Sequence, residues 1–444
     1  MRTERPRVRL RAACLASALF AAGAARAEEP APLPPEAAAS APDPAPQGPD
    51  DPNPWRIGVR QDVAGETNLF RAPDGQKARR DIVSTTSLLL GLDQPIGRQR
   101  LVLDLQAGAN RYKNNTQLDG STYAASARLD WATVNRLSGQ ASLYQRSSLF
   151  RYDLDRQQDF TGRTVQRSRG GALQAQLGVV TDWTLEAGLA ASDERYSRLE
   201  FQYRDLRQTA ATLGLRWRPS DLGSARVALR RTDGRFPHYA VDDAGAVLAD
   251  DFTRDDLELS LRWTPSDLSD LRARLSRTRE RHELQGARDG EGWTGELAYE
   301  RRLSGKTVLT LIAARDNTAG ASSFDDTLIV TDNADARRTT RAELRLRWDA
   351  TSKIRAQLGL AHQRRTLDDS FVLTPVLDGG VPLAQGTTAR DRLTTVSLGL
   401  QYQPSRGLLF GCTLAREQRG TDDTELTFPY RASSGVCFGQ LTWQ

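Results

Sequence analysis

Residues Leu215–Arg231, LRWRPSDLGSARVALRR, and Leu261–Arg277, LRWTPSDLSDLRARLSR, carry one turn, WxPSDL, between runs in which every second residue is apolar. Period two marks a β-strand, whose successive side chains point to opposite faces. Pro, Ser, Asp and Gly at the centre supply the turn. Each stretch therefore folds as a hairpin. Leu213, Leu215 and Trp217 share a face with Ala225, Val227 and Leu229, while Arg216, Arg226 and Arg230 share the other. A wall with leucine on one side and arginine on the other suits hydrocarbon against the first and water against the second.

The same alternation runs from Trp55 to the end of the chain. Leu101, Leu103 and Leu105 alternate with Val102, Asp104 and Gln106; Leu257, Leu259, Leu261 and Trp263 alternate with Glu258, Ser260 and Arg262; Leu344, Leu346 and Trp348 alternate with Arg345 and Arg347. Short connections fall at DQPIG (from Asp93), ATVNRL (Ala132), VTD (Val180), PSDLG (Pro219), PSDLS (Pro265), LSGK (Leu303), ATSK (Ala350) and QPSR (Gln403). Longer polar loops lie between them: NNTQLDG from Asn114, HYAVDDAGAVLADD from His238 and SFDDTLIVTDNADA from Ser323. Pairing hairpins on the short turns predicts about 18 strands, within a range of about 16 to 18, with short turns at one end and long loops at the other. The periodic runs reach about 9 to 12 residues, enough for a tilted strand to cross a bilayer, where strands of soluble sheets average about 5 to 6.

Aromatic residues fit the same picture. Trp131, Trp217, Trp263, Trp348 and Tyr402 each precede a short turn on the leucine parity, and Trp443 closes the chain on it. Such placement predicts an interfacial girdle at the short-turn end. Closure of the sheet would pair every backbone donor and acceptor that lipid cannot satisfy. The expected fold is all-β, a transmembrane antiparallel outer-membrane β-barrel over residues 55–444.

Two segments precede it. Residues 1–27 have arginine at positions 2, 5, 7, 9 and 11, an apolar run from Ala12 to Ala25 and an Ala25-Arg26-Ala27 end, the pattern of a cleaved secretory signal. Residues 28–54 are Pro, Ala and Asp, a composition that cannot offset its ordering entropy by burial and predicts a flexible periplasmic leader. The formal net charge of +5, carried mainly by arginine, would ordinarily raise nucleic acid as a partner, but an exported chain rarely meets it. Export into an oxidising compartment also bears on Cys412 and Cys437. They lie on matching parities of the last hairpin, and Cys412 opposite Cys437 would place Leu408 opposite Leu441, so a disulfide is expected.

No catalytic constellation stands out. His238, His282 and His362 belong to no motif with catalytic spacing and are expected at the surface, and no His or Cys cluster has metal spacing, so neither cofactor nor metal is expected. On the inward parity stand Arg128, Arg216, Arg226, Arg230, Arg262, Arg272, Arg274, Arg345, Arg347 and Arg355, against Asp104, Asp130, Glu186, Glu258, Glu296 and Glu343. Two arrangements fit: a guanidinium-lined lumen that contacts anionic ligands, or a ladder of ion pairs with neighbouring strands. Parity fixes the face and leaves the partners open. Acid pairs at Asp242 and Asp243, Asp250 and Asp251, Asp325 and Asp326, and Asp368 and Asp369 belong to the long loops and are expected to be solvated.

The segments ETNLFR from Glu66, RYKNNTQLDGSTYAASARLDW from Arg111, RFP from Arg235, DDFTRDDLELSLRWTPSDLSDLRARLSRTRERHE from Asp250, and TFPYRASS together resemble the β-barrel porins encoded in exopolysaccharide biosynthesis operons, the EpsL type. The resemblance implies a non-enzymatic role in making or exporting an extracellular polysaccharide, with other export proteins as partners. The terminal Thr-Trp-Gln is similar to the aromatic-ended signal read by barrel-assembly machinery, with the aromatic penultimate. Outer-membrane lipid and lipopolysaccharide are the expected surroundings. A general diffusion porin and a closed barrel scaffolding other export proteins are the alternatives.

Overall fold

The structure is a computed structural model that describes residues 53–134, 136–150, 162–178, 181–241, 245–284, 289–316, 336–368, 388–422 and 427–443. The expected signal, and all but the last two residues of the leader, lie outside the described residues. The strands are β1 (Trp55–Glu66), β2 (Asp81–Ile96), β3 (Gln99–Tyr112), β4 (Gly120–Ala132), β5 (Leu137–Leu149) and β6 (Val165–Leu177). They continue with β7 (Trp183–Tyr196), β8 (Leu206–Ser220), β9 (Gly223–Val241), β10 (Val247–Ser266), β11 (Ser269–His282) and β12 (Gly290–Ser304). The last third holds β13 (Thr307–Asp316), β14 (Ala336–Asp349), β15 (Ile354–Asp368), β16 (Thr388–Ser405), β17 (Leu408–Thr421) and β18 (Tyr430–Trp443). Each strand pairs antiparallel with its sequence neighbours, and β18 pairs with β1 from Ile57↔Trp443 to Glu66↔Ser434, which closes an 18-stranded barrel with no free edge.

The hairpin turns explain why proline recurs beside them. In the first, Trp217 pairs with Ala225 and Ser220 with Gly223, so Arg218 and Pro219 together face one residue, Ser224. That two-against-one step is a β-bulge, where a residue without an N–H costs no ladder bond. Asp221 and Leu222 then make the two-residue turn. The same register shift recurs at Trp263/Ser266 and Tyr402/Ser405, around Pro265 and Pro404. At DQPIG the strand runs on through Pro95 to Ile96, and the turn falls at Gly97 and Arg98, with Gly97 at φ 63°, where glycine avoids the steric cost of a side chain.

One loop expectation fails. The stretch from His238 to Asp251 is mostly strand: β9 extends to Val241 and β10 begins at Val247, so the hairpin rises well past its neighbours. The loop from Ser323 lies outside the described residues, as do Asp242, Asp243, Asp325, Asp326 and Asp369.

Side chains divide by parity. Leu173, Leu189, Leu213, Leu229, Leu257 and Leu398 are each about half or more exposed on the outer wall, whereas buried positions on the opposite parity are dominated by Arg, Asp, Glu, Ser and Thr. A soluble protein would hide its leucines. This barrel presents them to its surroundings all the way round and, along that leucine belt, turns its charges inward, the arrangement of a barrel embedded in lipid. At the short-turn end Trp217, Trp263, Trp348, Tyr402 and Trp443 project outward, joined by Trp55 and Trp183, and Trp183 stacks on Trp217 with ring centroids 6.1 Å apart. Trp131 lies flatter and half-buried: it folds over Gly139, where any Cβ would collide with its ring.

Cys412 and Cys437 are register partners, as are Leu408 and Leu441, and the two sulfurs lie at bonding distance, 2.17 Å.

Candidate functional site

The lumen carries the polar chemistry of this chain, and its arginines are paired. Arg226, on β9, reaches Glu258 on neighbouring β10 at 2.6 Å and Glu186 on β7, two strands away, at 2.6 Å. It passes over Gly214 of β8, where a Cβ would stand 3.3 Å from its Nε. Arg216 holds the other oxygen of Glu186 at 2.8 Å. Arg274 faces Glu296 at 3.9 Å, and Arg345 and Arg341 both hold Glu343. Toward the short turns, Asp270 takes Arg262 at 2.6 Å and Arg272 at 3.4 Å, Asp349 takes Arg355 at 2.7 Å and Arg347 at 3.6 Å, and Arg128 pairs with Asp130 at 3.4 Å. Arg230 donates to Thr212 Oγ1 at 3.3 Å. The arginines are paired with carboxylates in two ways, across strands as in Arg226–Glu258 and Arg274–Glu296, and two residues away on the same strand as in Arg128–Asp130 and Arg345–Glu343.

Several acids in this ladder were not expected there. Asp270 and Asp349 abut turns, where a bulge or the end of alternation hides the parity. Asp391, fully buried, joins Arg365 at 2.5 Å and Arg419 at 3.7 Å near the long-loop end, and Arg60 pairs with Asp62 at 2.7 Å. Arg419 also donates to the Phe428 carbonyl at 2.9 Å and lies over the Phe428 and Tyr430 rings.

At the long-loop end the lumen narrows. The connection between β1 and β2 is tied down by Asn68, whose side chain accepts from the Ala72 N–H at 2.8 Å and donates to the Ala72 carbonyl at 2.9 Å. Arg71 takes φ 54°, a left-handed conformation that costs a non-glycine residue about 1 to 2 kcal/mol. It is held there by Glu66 at 2.7 Å, by Glu417 of β17 at 3.2 Å and by its own donation to the Asn68 carbonyl. Burial alone would lower the Arg71 pKa, but the two carboxylates outweigh burial and hold it above the ordinary value, so the charge is permanent. The adjacent residue points elsewhere. Phe70 packs on a buried cluster of Phe150, Tyr196 and Phe201, contributed by the ends of β5 and β7 and by the short 3-10 turn Leu199–Arg204. Counting round the closed ring, β17 and β7 are eight strands apart (β17, β18, β1 through β7), and nine is half the circumference. Phe70 and Arg71 thus reach toward the β5–β7 cluster and toward β17, while the Asp74 N–H donates to the Pro429 carbonyl at 2.8 Å beside β18, so the segment from Thr67 to Arg80 is a strap held at the mouth.

At the same end the tall β9–β10 hairpin brings in a second cluster, Leu206, Phe236, Tyr239 and Phe252. His282 stacks on Phe252 at 5.3 Å with both ring nitrogens engaged, Nδ1 to Asp250 at 2.8 Å and Nε2 to Glu280 at 3.0 Å. Two corrections follow from this geometry. His282 is buried and not at the surface, and Asp250 is its fully buried partner and not a solvated loop acid, because the extended hairpin covers both. His238 contacts Asp205 at 3.2 Å and His362 contacts Thr394 Oγ1 at 2.9 Å. Burial pushes the Asp205 carboxyl above the ordinary aspartate range, against the lowering contributed by the Tyr196 N–H and by His238. Among the described residues no group of three or more His, Cys, Asp or Glu could hold a metal ion.

Solved structures similar to this chain include the outer membrane protein OpdK of Pseudomonas aeruginosa, 14% identical, with 88% of this chain and 99% of that one covered and a TM-score of 0.46. OccK2 (OpdF) of the same organism is 14% identical over 87% and 97% at 0.48, and OccAB3 of Acinetobacter baumannii is 12% identical over 88% and 98% at 0.44. No family model and no curated protein matches this chain. The resemblance to the EpsL-type porins therefore stands without support beyond the segments that suggested it.

Proposed function

We propose that this chain is a non-enzymatic outer-membrane channel of the general diffusion kind, which passes small hydrophilic solutes through a water-filled lumen narrowed at its outer mouth. The observation that carries the proposal is the inversion of polarity: a closed 18-stranded wall with leucines outside and ion-paired arginines inside. Barrels of about 16 to 18 strands are wide enough to leave an aqueous channel, which narrower ones fill with side chains. Because most lumen arginines named above have a carboxylate within 4 Å, their fields largely cancel along the wall. Weak charge selectivity is expected from such a ladder, where a bare guanidinium ring would select anions.

The strap and the aromatic clusters favour small solutes over a polymer. A polysaccharide chain would have to displace Phe70 from the Phe150 cluster and break the Arg71 contacts to Glu66 and Glu417, a demand that a monosaccharide does not make to the same degree. Passage of an exopolysaccharide, the reading suggested by the sequence resemblance, ranks second for that reason. The test is swelling of vesicles that hold the purified barrel, in isosmotic sugars from mono- to tetrasaccharide. Swelling should be rapid in a monosaccharide and fall steeply with size; no swelling in any sugar would defeat the channel and leave a closed scaffold.

A further inference from the structure

Above the leucines, the outer wall of the long-loop end is rich in outward-facing arginine, and one cluster there has the form of a binding site. Register sets Asp193 of β7 between Arg169 of β6 and Arg207 of β8, with Arg195 two residues further along β7 on the same face. Asp193 takes Arg195 at 2.7 Å, Arg169 at 3.1 Å and Arg207 at 3.5 Å. Three guanidinium groups share one carboxylate, a local surplus of two positive charges. The three arginine side chains are 48 to 62% exposed, while Asp193, beneath them, is 16% exposed.

Below the cluster the wall is recessed. Gly171 pairs with Ala191 and Ala191 with Thr209, so three adjacent strands present small side chains where their neighbours present leucine. These residues floor an outward groove of about 1030 Å³ lined by Arg169, Arg207 and Arg235 and, away from the Asp193 cluster, by Asp233, Asp251 and Glu283, of which Asp251 pairs with Arg235 at 3.4 Å. Leu143 leans over Gly171, where a Cβ would lie 2.7 Å from its Cδ2, and walls one end. Leu173 and Leu189, two residues further down their strands, continue the floor into the hydrocarbon-facing belt. An apolar trough that opens into a lipid-facing wall and is capped by three arginines matches a molecule with an acyl chain below and a phosphate above. Arginine binds phosphate through paired N–H donors, and basic pockets at the headgroup level hold anionic lipids.

We propose that this groove seats a phosphorylated glycolipid of the outer leaflet, its phosphate held by Arg169, Arg195 and Arg207 and an acyl chain lying along Gly171, Ala191 and Thr209. The proposal rests on the membrane-spanning wall and is independent of what crosses the lumen. Asp193 orients the three guanidinium groups, and it also repels the phosphate, so its charge sets the affinity from the opposite side.

The test is native mass spectrometry of the detergent-solubilised full-length barrel titrated with bisphosphorylated lipid A. The R169Q/R195Q/R207Q variant should bind about tenfold more weakly, and D193N severalfold more tightly. R301Q, which removes an exposed arginine at the short-turn end, should leave binding unchanged. Millimolar inorganic phosphate should not displace the lipid, and dephosphorylated lipid A should bind the unmodified barrel no better than lipid A binds the triple variant. Equal binding by the triple variant would overturn the proposal, as would displacement by inorganic phosphate alone. Heat-dependent gel migration reports folding. If the triple variant does not fold, D193N decides: tighter binding supports the seat, and unchanged or weaker binding rejects it.

Discussion

Replacing Arg226 by methionine should cost about 3 kcal/mol of barrel stability. Arg226 is 8% exposed and bridges two carboxylates, each at 2.6 Å. Breaking a buried ion pair from one side costs about 3 to 5 kcal/mol, mostly because the surviving charge is left without a partner. The lower end applies here: Glu186 keeps Arg216 at 2.8 Å, so only Glu258 is stranded, with Ser260 Oγ donating at 3.1 Å. Methionine preserves most of the volume, so a cavity contributes little. The second substitution, R226M with E258Q, should recover about 2 kcal/mol, since no buried charge is then stranded, and the double-mutant cycle isolates the pair. Urea unfolding from lipid vesicles, followed by tryptophan fluorescence, measures both. If R226M unfolds within about 0.5 kcal/mol of the unmodified barrel, or E258Q gives no recovery, the guanidinium is solvated in an open lumen and the ladder account fails.

Three further outcomes are expected. Non-reducing mass spectrometry should find a peptide linking Cys412 to Cys437, and C412S/C437S should lose about 3.5 kcal/mol, the chain-entropy value for a loop closed over a 25-residue separation; free thiols in exported protein would reject the bond. Phe70→Asp should loosen the strap from the Phe150 cluster and raise amide exchange in residues 67–80 while leaving β1 and β2 protected; unchanged exchange would mean that Phe70 does not hold the strap. Because burial raises the Asp205 pKa in the folded barrel, its contribution to stability is full below the ordinary aspartate value of about 3.9 and is lost as pH rises through the folded value. D205N should therefore flatten the decline in urea midpoint over that window, and an identical pH profile would count against the burial argument.

The wall of this barrel was largely legible in the sequence, because one physical demand, leucine to lipid and charge to water, repeats at every second position of every strand. That demand sets the strand count and places WxPSDL at the turns, and it puts Cys412 opposite Cys437. It does not choose partners. Arg226 finds Glu186 because Gly214 clears the way on the strand between them, and no local pattern links residues 40 apart. Trp55 and Trp183 escaped the expected girdle because they begin strands, whereas the other aromatics stand near strand ends. The strap was invisible for a related reason: Phe70 and Arg71 belong to no periodic run, and Glu417 and the Phe150 cluster lie far from them in the sequence. The stretch from His238 to Asp251 looked like a loop because leucine alternation stops where the hairpin rises past the leucine belt. There Phe236 and Phe252 turn inward, and the lumen cluster around His282 takes over the work of burial.

The most direct measurement is single-channel current through the purified barrel in a planar bilayer, for the unmodified chain and for a variant with the strap shortened between Leu69 and Arg79, whose backbone groups are already hydrogen-bonded across the strap's base at 2.8 Å. A water-filled lumen narrowed at its mouth predicts stable current with weak ion selectivity and a clearly larger conductance once the strap is shortened. Absence of current from both proteins would contradict the channel, and equal conductance from both would contradict the strap.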